Sequence, residues 1–355
     1  MYVFGASYEE TGNWRVAIMN HDFPNRTLPL GPLDPITPPT TFYGPPVNGP
    51  GIALMGARNR FSDGYNYLDF LAQDYGFKLS NSLSIRALPR GNNNLVNFAV
   101  AGASAEGNAF NTIIPNSDYN QLLGKHSVIA QVQRFVALRS VSGSAPITAS
   151  DIFLLGTLTG NDISTIGAMA YTGNASGIPA AVASSIGTYL GAIQTLYNMG
   201  ARRMVITTVE SPCYPYLPSI WKTDYTGSVL ASTVGLVNQY FSVFYAQLAI
   251  LRSTTALNLE LEVTPICDLP DKWANEPFVY GARASMESDL GDPRVTYGGA
   301  PKATYPFPTL YDMSLPPYNI KGKSYNFHDD LHPTQIIHRR LATVVGARVE
   351  AYLID

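Results

Sequence analysis

Three residues near the two ends of the chain have side chains that together could carry out nucleophilic catalysis. Ser7 follows the apolar run 2–4 in a tight turn beside Gly5, and Asp329 and His332 stand three residues apart near the C-terminus. A nucleophilic serine needs a base with a pKa near neutrality and a carboxylate that fixes the imidazole tautomer. Asp329 in a turn can reach Nδ1 of His332 and leave Nε2 free to face Ser7. Taken singly, a turn serine and a solvated histidine are the commoner interpretations.

Two further segments could donate hydrogen bonds to a negatively charged oxygen. Asn161, in Gly160-Asn161-Asp162, comes soon after the apolar run 152–155, and the run 96–100 leads into Gly102 and other small residues. Small residues let a backbone N–H approach a substrate oxygen, and an asparagine amide adds another donor. Each segment alone is a weak signal, because similar turns end many strands.

A metal site is the competing interpretation of the C-terminal histidines. His328 and His332 have the i, i+4 spacing of two ligands on a helix. Pro333 and the loop context disfavour a helical pair, and no third ligand has a clear spacing. We therefore expect neither a metal ion nor an organic cofactor.

Five apolar runs, most of them continuous, predict strands buried on both faces of a parallel sheet. They are residues 2–4, 96–100, 152–155, 204–209 and 259–266. Helical candidates lie at 68–75, within about 118–141, at 178–199, at 224–256 and just after Pro333. Alternation of strands and helices with right-handed crossovers predicts an α/β protein, a three-layer α/β/α sandwich of flavodoxin-like type with a parallel sheet of about five strands.

One domain over residues 1–355 accounts for this alternation, and no repeat is visible. Two segments interrupt it. Residues 22–60 carry nine prolines, and residues 281–327 are irregular and rich in tyrosine and phenylalanine. Because long loops in compact domains are usually lids or binding loops, we expect both insertions around the mouth of the site.

Composition disfavours several classes of partner. The formal net charge is −3 and only 14% of residues are charged, with no basic stripe to neutralise phosphates or to bind a membrane surface. No apolar stretch approaches the roughly 20 residues that an integral membrane helix needs. We expect a small-molecule substrate rather than a nucleic acid, and the sequence indicates no oligomeric state.

The start of the chain and the cysteines bear on location. An apolar strand follows Met1 directly, so the chain is either cytoplasmic or has lost a leader peptide. A polar, proline-rich composition with glycosylation triplets at Asn25 and Asn174 favours a secreted, extracellular protein. Cys213 and Cys267, each after a predicted strand, could form one disulfide or remain two buried thiols.

Four blocks, in this order, resemble the signatures of the SGNH/GDSL hydrolases. They are Gly5-Ala6-Ser7-Tyr8-Glu9-Glu10-Thr11-Gly12-Asn13, Asn97-Phe98-Ala99-Val100-Ala101-Gly102-Ala103, Gly160-Asn161-Asp162 and Asp329-Asp330-Leu331-His332-Pro333. Arg60-Phe61-Ser62-Asp63-Gly64 is similar to a fifth segment of the family. The resemblance runs from residue 3 to about residue 350.

The resemblance implies a role for each matching residue. Ser7 is the expected nucleophile and His332 the base, oriented by Asp329; Asp330 is the alternative orienter, but its spacing is wrong. The expected oxyanion hole consists of the Ser7 N–H, the Gly102 N–H and the side-chain amide of Asn161.

The chain departs from the family pattern at several positions. Ala6 replaces an Asp, Ala101 replaces a Gly, and Glu10 replaces the Asp before Thr11. None of these changes removes a reacting group. Since Ala6 deletes a carboxylate beside the nucleophile, we expect its turn to be held by Gly5 and by neighbours such as Glu10 or Asn13.

The resemblance implies a GDSL-type serine esterase that cleaves carboxylic esters through an acyl-enzyme. Aromatic residues at the expected mouth suit sugar faces, which favours short-chain or acetyl esters such as acetylated carbohydrates. The same residues could line an acyl tunnel in a lipase, which is the alternative substrate class. A third hypothesis is a catalytically weak carbohydrate- or lipid-binding protein that keeps the fold.

Overall fold

The computed structural model describes the strands and helices that form the body of the chain. The described residues are 1–13, 17, 60, 65–91, 93–107, 125–158, 160–171, 173–210, 227–254, 259–265, 284–288, 296–297, 300–301, 325–327 and 335–354. Asp329, His332, both cysteines and most of the predicted insertions at 22–60 and 281–327 lie outside them.

A six-stranded, all-parallel sheet forms the centre of the molecule, with strand order β2-β3-β1-β4-β5-β6. Its strands are β1 (Tyr2–Phe4), β2 (Lys78–Asn81), β3 (Asn94–Asn97), β4 (Ile152–Leu158), β5 (Arg203–Thr208) and β6 (Glu260–Pro265). From β1, the chain passes to the edge strand β2, returns to β3 beside β1, and then crosses to the other side of β1, where β4, β5 and β6 follow in order. This reversal of strand order creates a crevice at the carboxyl ends next to β1, where open α/β folds bind their ligands.

Six α-helices cover the sheet in the part of the chain that the structure describes. They are α1 (Tyr67–Tyr75), α2 (Val128–Arg139), α3 (Gly160–Tyr171), α4 (Ile178–Asn198), α5 (Gly227–Thr254) and α6 (Gln335–Ile354). Helices α1 and α6 pack together, and the Tyr75 hydroxyl donates to Gly346 O at 3.0 Å. Helix α4 packs against α2, α3 and α5. The predicted α/β sandwich is confirmed.

Aromatic side chains hold the centre of this core between β1 and α2. The ring of Phe135 lies 5.0 Å from that of Tyr2 and 5.9 Å from that of Phe4. Phe98 stacks on Phe4 at 5.0 Å, and Phe153 meets Phe135 edge-on at 5.6 Å. Four of these five side chains are fully buried, and packed aromatic rings contribute more than their buried area alone. The core therefore begins within the first four residues and places the turn after β1 on a rigid base.

Short strands precede the last helix. The strands are β7 (Ala284–Ser288), β8 (Thr296–Tyr297), β9 (Ala300–Pro301) and β10 (Tyr325–Phe327). Strand β10 pairs in parallel with β7, and β8 pairs with β9 in antiparallel fashion. The predicted final helix is confirmed as α6, and β10 precedes it.

The predicted elements agree with the structure except at three places, which are strand β2, the start of β3 and helix α3. All five predicted strands exist, but the sheet has a sixth, β2, which was not predicted. The second predicted strand begins earlier, at Asn94, and its bonds to the Val3 and Gly5 carbonyls continue to Val100. Asn161, expected in a simple turn, lies instead in the first turn of helix α3.

Helix α5 contains a stretch that is long and apolar enough to cross a membrane, contrary to the sequence expectation. Val234–Ser253 spans 20 residues with a mean hydropathy of 1.3. Its buried side chains, such as Tyr240 and Phe244, face the core, whereas Asn238, Gln239 and Gln247 are exposed. A helix that covers a sheet meets the same test of length and composition, so this stretch alone does not indicate an integral membrane segment.

Candidate active site

The turn that carries Ser7 begins at the carboxyl end of β1, in the middle of the sheet. Gly5 exchanges two hydrogen bonds with one side chain of α2: its N–H donates to Gln131 Oε1 and its carbonyl accepts from Gln131 Nε2, both at 2.9 Å. Val100 N–H donates to the same carbonyl at 3.3 Å. Ser7 is half-buried, and its carbonyl accepts from Glu10 N–H at 3.3 Å. The turn is thus held on both sides before the serine is reached.

The residues after Ser7 take part in a network of buried hydrogen bonds. Glu10 Oε1 accepts the Gly12 N–H at 2.6 Å, and Glu10 Oε2 accepts the Ala101 N–H at 3.1 Å. Asn97 Nδ2 donates to the hydroxyl of Thr11 at 2.7 Å. All buried backbone polar groups need partners, and these side chains supply them where no strand continues. Glu10 therefore connects the turn of Ser7 to the segment that contains Gly102.

Arg60, the first residue of the fifth sequence block, is buried. Arg60 forms a two-point ion pair with Asp69 of α1, with distances of 2.8 and 2.6 Å, and its Nη1 donates to Thr11 O at 2.5 Å. Asn66, the N-cap of α1, donates to Glu10 O at 2.8 Å. Planar guanidinium groups suit such two-point pairing. Arg60 therefore ties helix α1 to the loop after Ser7, and the other residues of the block, 61–64, lie outside the described residues.

A second glutamate in this loop was not singled out by the sequence. Glu9 is fully buried; its Oε2 accepts the Ala6 N–H at 3.0 Å, and its Oε1 accepts the Tyr67 hydroxyl at 2.8 Å. Burial, followed by the charge of Glu9, raises the pKa of Tyr67 well above its usual value, so the phenol stays a proton donor. The structure thus gives Ala6 a partner other than the expected Glu10 or Asn13.

The two remaining candidate oxyanion donors lie at the ends of the neighbouring strands. Gly102 follows β3 with φ of 77°, a left-handed conformation that glycine adopts readily. Asn161, in the first turn of α3 after β4, donates from Nδ2 to Ala103 O at 2.8 Å. The amide of Asn161 is therefore placed against the turn of Gly102. Its second Nδ2 hydrogen and the positive end of the α3 dipole suit an anionic oxygen.

Asp162, next to Asn161, faces the protein interior. Its carboxylate accepts from Ala105 N–H at 3.1 and 3.2 Å, from Ser185 Oγ at 2.7 Å and from Tyr189 Oη at 2.6 Å. Burial raises the pKa of Asp162, and these hydrogen bonds oppose the rise. The side chain therefore anchors the start of α3 to α4.

The first turns of helix α6 lie beside the turn of Ser7. His338 is fully buried, with its ring centroid 5.9 Å from that of Tyr8 and 6.3 Å from that of Tyr67. Asp329 and His332 belong to the segment between β10 and this helix, outside the described residues. Helix α6 therefore begins at the end of the sheet where Ser7 lies.

Ser7, Gly102 and Asn161 follow β1, β3 and β4, three adjacent strands of one parallel sheet. The structure therefore brings these predicted residues to the same crevice. Two hydrogen bonds hold the residues on either side of Gly102: Glu10 accepts the Ala101 N–H, and Asn161 donates to the Ala103 carbonyl. Among the described residues, no group of three or more His, Cys, Asp or Glu side chains could hold a metal ion.

The sequence model of the family GDSL-like Lipase/Acylhydrolase matches residues 1–345. The chain belongs to this family. A search of curated proteins found no match to the chain. Membership of the GDSL-like lipase/acylhydrolase family implies a hydrolase of acyl esters, and it confirms the resemblance stated from the sequence blocks.

The sequence did not single out Glu9 or Gln131 as residues of this GDSL-like site. Gln131 lies on the buried face of α2, where a polar side chain among apolar ones was the only signal. Glu9 and Glu10 are adjacent acidic residues in a turn that was expected to be compact. A carboxylate buried there without a hydrogen-bond partner would cost folding free energy. That cost was the available clue that at least one of the two is buried with specific partners.

Proposed function

We propose that this GDSL-family protein hydrolyses carboxylic esters through an acyl-enzyme on Ser7. In this mechanism His332, oriented by Asp329, takes the Ser7 proton as Oγ attacks the carbonyl carbon. The proton then passes to the leaving alcohol, and water attacks the acyl-enzyme to release the acid. The observation that carries the proposal is the position of Ser7 at the central crevice, with Gly102 and Asn161 at the two adjacent strand ends.

The donors around this crevice support the oxyanion part of the mechanism. Charge develops on the carbonyl oxygen during attack, and preorganised N–H groups stabilise it because they need not reorient. Both groups, the Gly102 turn and the Asn161 amide, are held by hydrogen bonds within the protein. The Ala101 N–H, next to Gly102, donates to Glu10, and the Asn161 amide donates to the Ala103 carbonyl. Ser7 N–H is the third proposed donor.

For the substrate we propose short-chain esters, with acetylated carbohydrates as the preferred class. The support is the aromatic content of residues 281–327, most of which lie outside the described residues. Activity toward 4-nitrophenyl acetate and 4-nitrophenyl octanoate separates this class from the acyl-lipid alternative. A higher kcat/KM for acetate supports the proposal, and a higher value for octanoate replaces it with a lipase.

Covalent labelling tests whether Ser7 is a nucleophile at all. We expect a fluorophosphonate probe to label the wild-type protein, and peptide mapping to locate the adduct on Ser7. Ser7→Ala should lose both labelling and turnover of 4-nitrophenyl acetate. Ser184→Ala, which removes an exposed hydroxyl bonded to Glu106, is the matched control and should keep both. Equal turnover by wild type and Ser7→Ala would leave the binding-protein hypothesis in place.

A further inference from the structure

The carboxylate of Glu9 occupies a niche that two glycines leave open. A Cβ atom on Gly156 would lie 2.4 Å from Cδ and Oε1 of Glu9, and one on Gly5 would lie 2.6 Å from Glu9 Oε2. Contacts this short do not occur between real side chains, so neither position accepts even alanine without displacing Glu9. Gly5 directly follows β1 and Gly156 lies in β4, so the backbone at two adjacent strands fixes the position of this carboxylate.

The niche lies at an irregularity in the sheet. Strand β4 pairs Leu155 with Ile206 and Leu158 with Thr208, so three steps of β4 span two steps of β5. The extra residue falls next to Gly156. Bulges of this kind change the direction of a strand and are common beside active sites. Here the bulge and the glycine together let the backbone pass the side chain of Glu9.

From this niche Glu9 contacts the turn of Ser7 and, through Tyr67, the first turns of helix α6. The bond from Ala6 N–H to Glu9 Oε2 closes a four-residue turn around Ser7. The bond from the Tyr67 hydroxyl to Glu9 Oε1 connects that turn to the ring that stacks on His338 of α6. Helix α6 directly follows the segment that contains His332.

We propose that Glu9 is a positioning residue for Ser7, which supplies from position 9 the carboxylate that this chain lacks at position 6. The inference rests on the proposed function of Ser7. It gives Ala6 a physical meaning: an Asp at this position would bring a second carboxylate to the N–H that Glu9 already accepts. Two carboxylates this close repel each other. A chain with Glu9 in this niche is therefore expected to have a neutral residue at position 6.

The test is a double-mutant cycle with positions 6 and 9, measured as steady-state hydrolysis of 4-nitrophenyl acetate. We expect Glu9→Ala to lower kcat by about 10–10²-fold, as small misplacements of reacting groups do, with KM nearly unchanged. In the wild-type background Ala6→Asp should lower kcat by less than about tenfold. In the Glu9→Ala background the same substitution should raise kcat. Glu350→Gln, an exposed carboxylate on α6, should leave kcat unchanged.

The change in sign distinguishes positioning from general support of the fold, because a purely structural defect would not be rescued from position 6. If Ala6→Asp has the same sign in both backgrounds, or if Glu9→Ala keeps wild-type kcat, the proposal is overturned. Where Glu9→Ala does not fold, Glu9→Gln takes its place in the cycle under the same criterion. Wild type and Ser7→Ala are measured alongside: equal rates for these two reject the proposed function, whereas a failed cycle in an active wild type rejects only the role of Glu9.

Discussion

Two buried carboxylates, Glu9 and Asp162, lie behind two of the proposed oxyanion donors and have similar partners. Each accepts one backbone N–H and one tyrosine hydroxyl: Ala6 and Tyr67 for Glu9, Ala105 and Tyr189 for Asp162. Their surroundings differ. Glu9 fills a niche between two strands and closes the turn of Ser7, whereas Asp162 joins the helices α3, α4 and, through Ser185, α5.

The same kind of interaction, a buried carboxylate that accepts hydrogen bonds, therefore has a different role in each region. Loss of Asp162 would loosen the packing of helices, and its effect should be seen mainly in stability. Loss of Glu9 would loosen one turn at a strand end, and its effect should be seen mainly in kcat. Both groups avoid the cost of an unpaired buried charge by accepting several hydrogen bonds.

The largest expected effect separates Asn161 from its neighbour Asp162. Asn161→Ala should lower kcat by about 10²–10³, the cost of one preorganised donor, because the amide is proposed to bind the oxyanion. The melting temperature should change little, since only the bond to Ala103 O is lost. Asn198→Ala, at the exposed end of α4, is the control for kinetics and thermal unfolding. An unchanged kcat for Asn161→Ala would reduce this residue to a support of the Gly102 turn.

Asp162→Ala should show the opposite pattern. It leaves the Ala105 N–H and two buried hydroxyls without their acceptor, and each unsatisfied donor is costly, so we expect the free energy of unfolding to fall by about 2–3 kcal/mol. Urea unfolding measures this loss, and Asp162→Asn, which keeps one acceptor oxygen, should lose less. A stable Asp162→Ala protein with greatly reduced kcat would abolish the distinction between the two carboxylates.

Acid should affect the two regions with opposite sign. His126, whose carbonyl accepts from the Gln131 that holds Gly5, has a pKa lowered to about 4 by burial and then by Arg134 and Lys125. The unfolded chain binds this proton more tightly, so the stability from neutral His126 is present above about pH 6.5 and is lost as pH falls toward 4. The raised pKa of Asp162 has the reverse effect: its contribution is present below about pH 3.8 and is lost as pH rises through the folded-state pKa.

The measurement is urea unfolding at pH 7 and pH 5. Wild type should lose about 1–2 kcal/mol from this histidine over that interval, and His126→Gln should lose correspondingly less. Parallel pH profiles for the two proteins would mean that His126 titrates normally in the folded state.

The smallest effects come from removal of the two tyrosine hydroxyls. Tyr189→Phe should lower stability by about 1 kcal/mol, the usual net worth of one hydrogen bond, and leave kcat almost unchanged. Tyr67→Phe should lower kcat by about two- to fivefold and cost a similar amount of stability, because only Glu9 of the two carboxylates closes the Ser7 turn. Thermal unfolding and steady-state kinetics on both variants check the pair, and equal kinetic effects would contradict the comparison.

Much of the framework could be predicted because its signals are local. The apolar run 2–4 before Gly5 indicated a strand that ends in a turn, and the structure places Ser7 there. The helix predicted at 68–75 is α1, which ends at Tyr75 with Gly76 as a left-handed C-cap. Strand β2 was missed because Lys78–Asn81 is a half-exposed edge strand without an apolar run. Helix α3 was missed because its sequence is rich in small residues, which weaken a helical period.

Residue types and their order along the chain determined the fold class, the family resemblance and the candidates Ser7, Gly102 and Asn161. The niche of Glu9 was decided only in three dimensions. Gly5 directly follows β1 and Gly156 lies in β4, and each is an ordinary glycine until β1 pairs with β4 and the bulge in β4 brings both against one carboxylate. Local patterns report what a segment does by itself, whereas burial of a charge depends on partners that distant segments bring together.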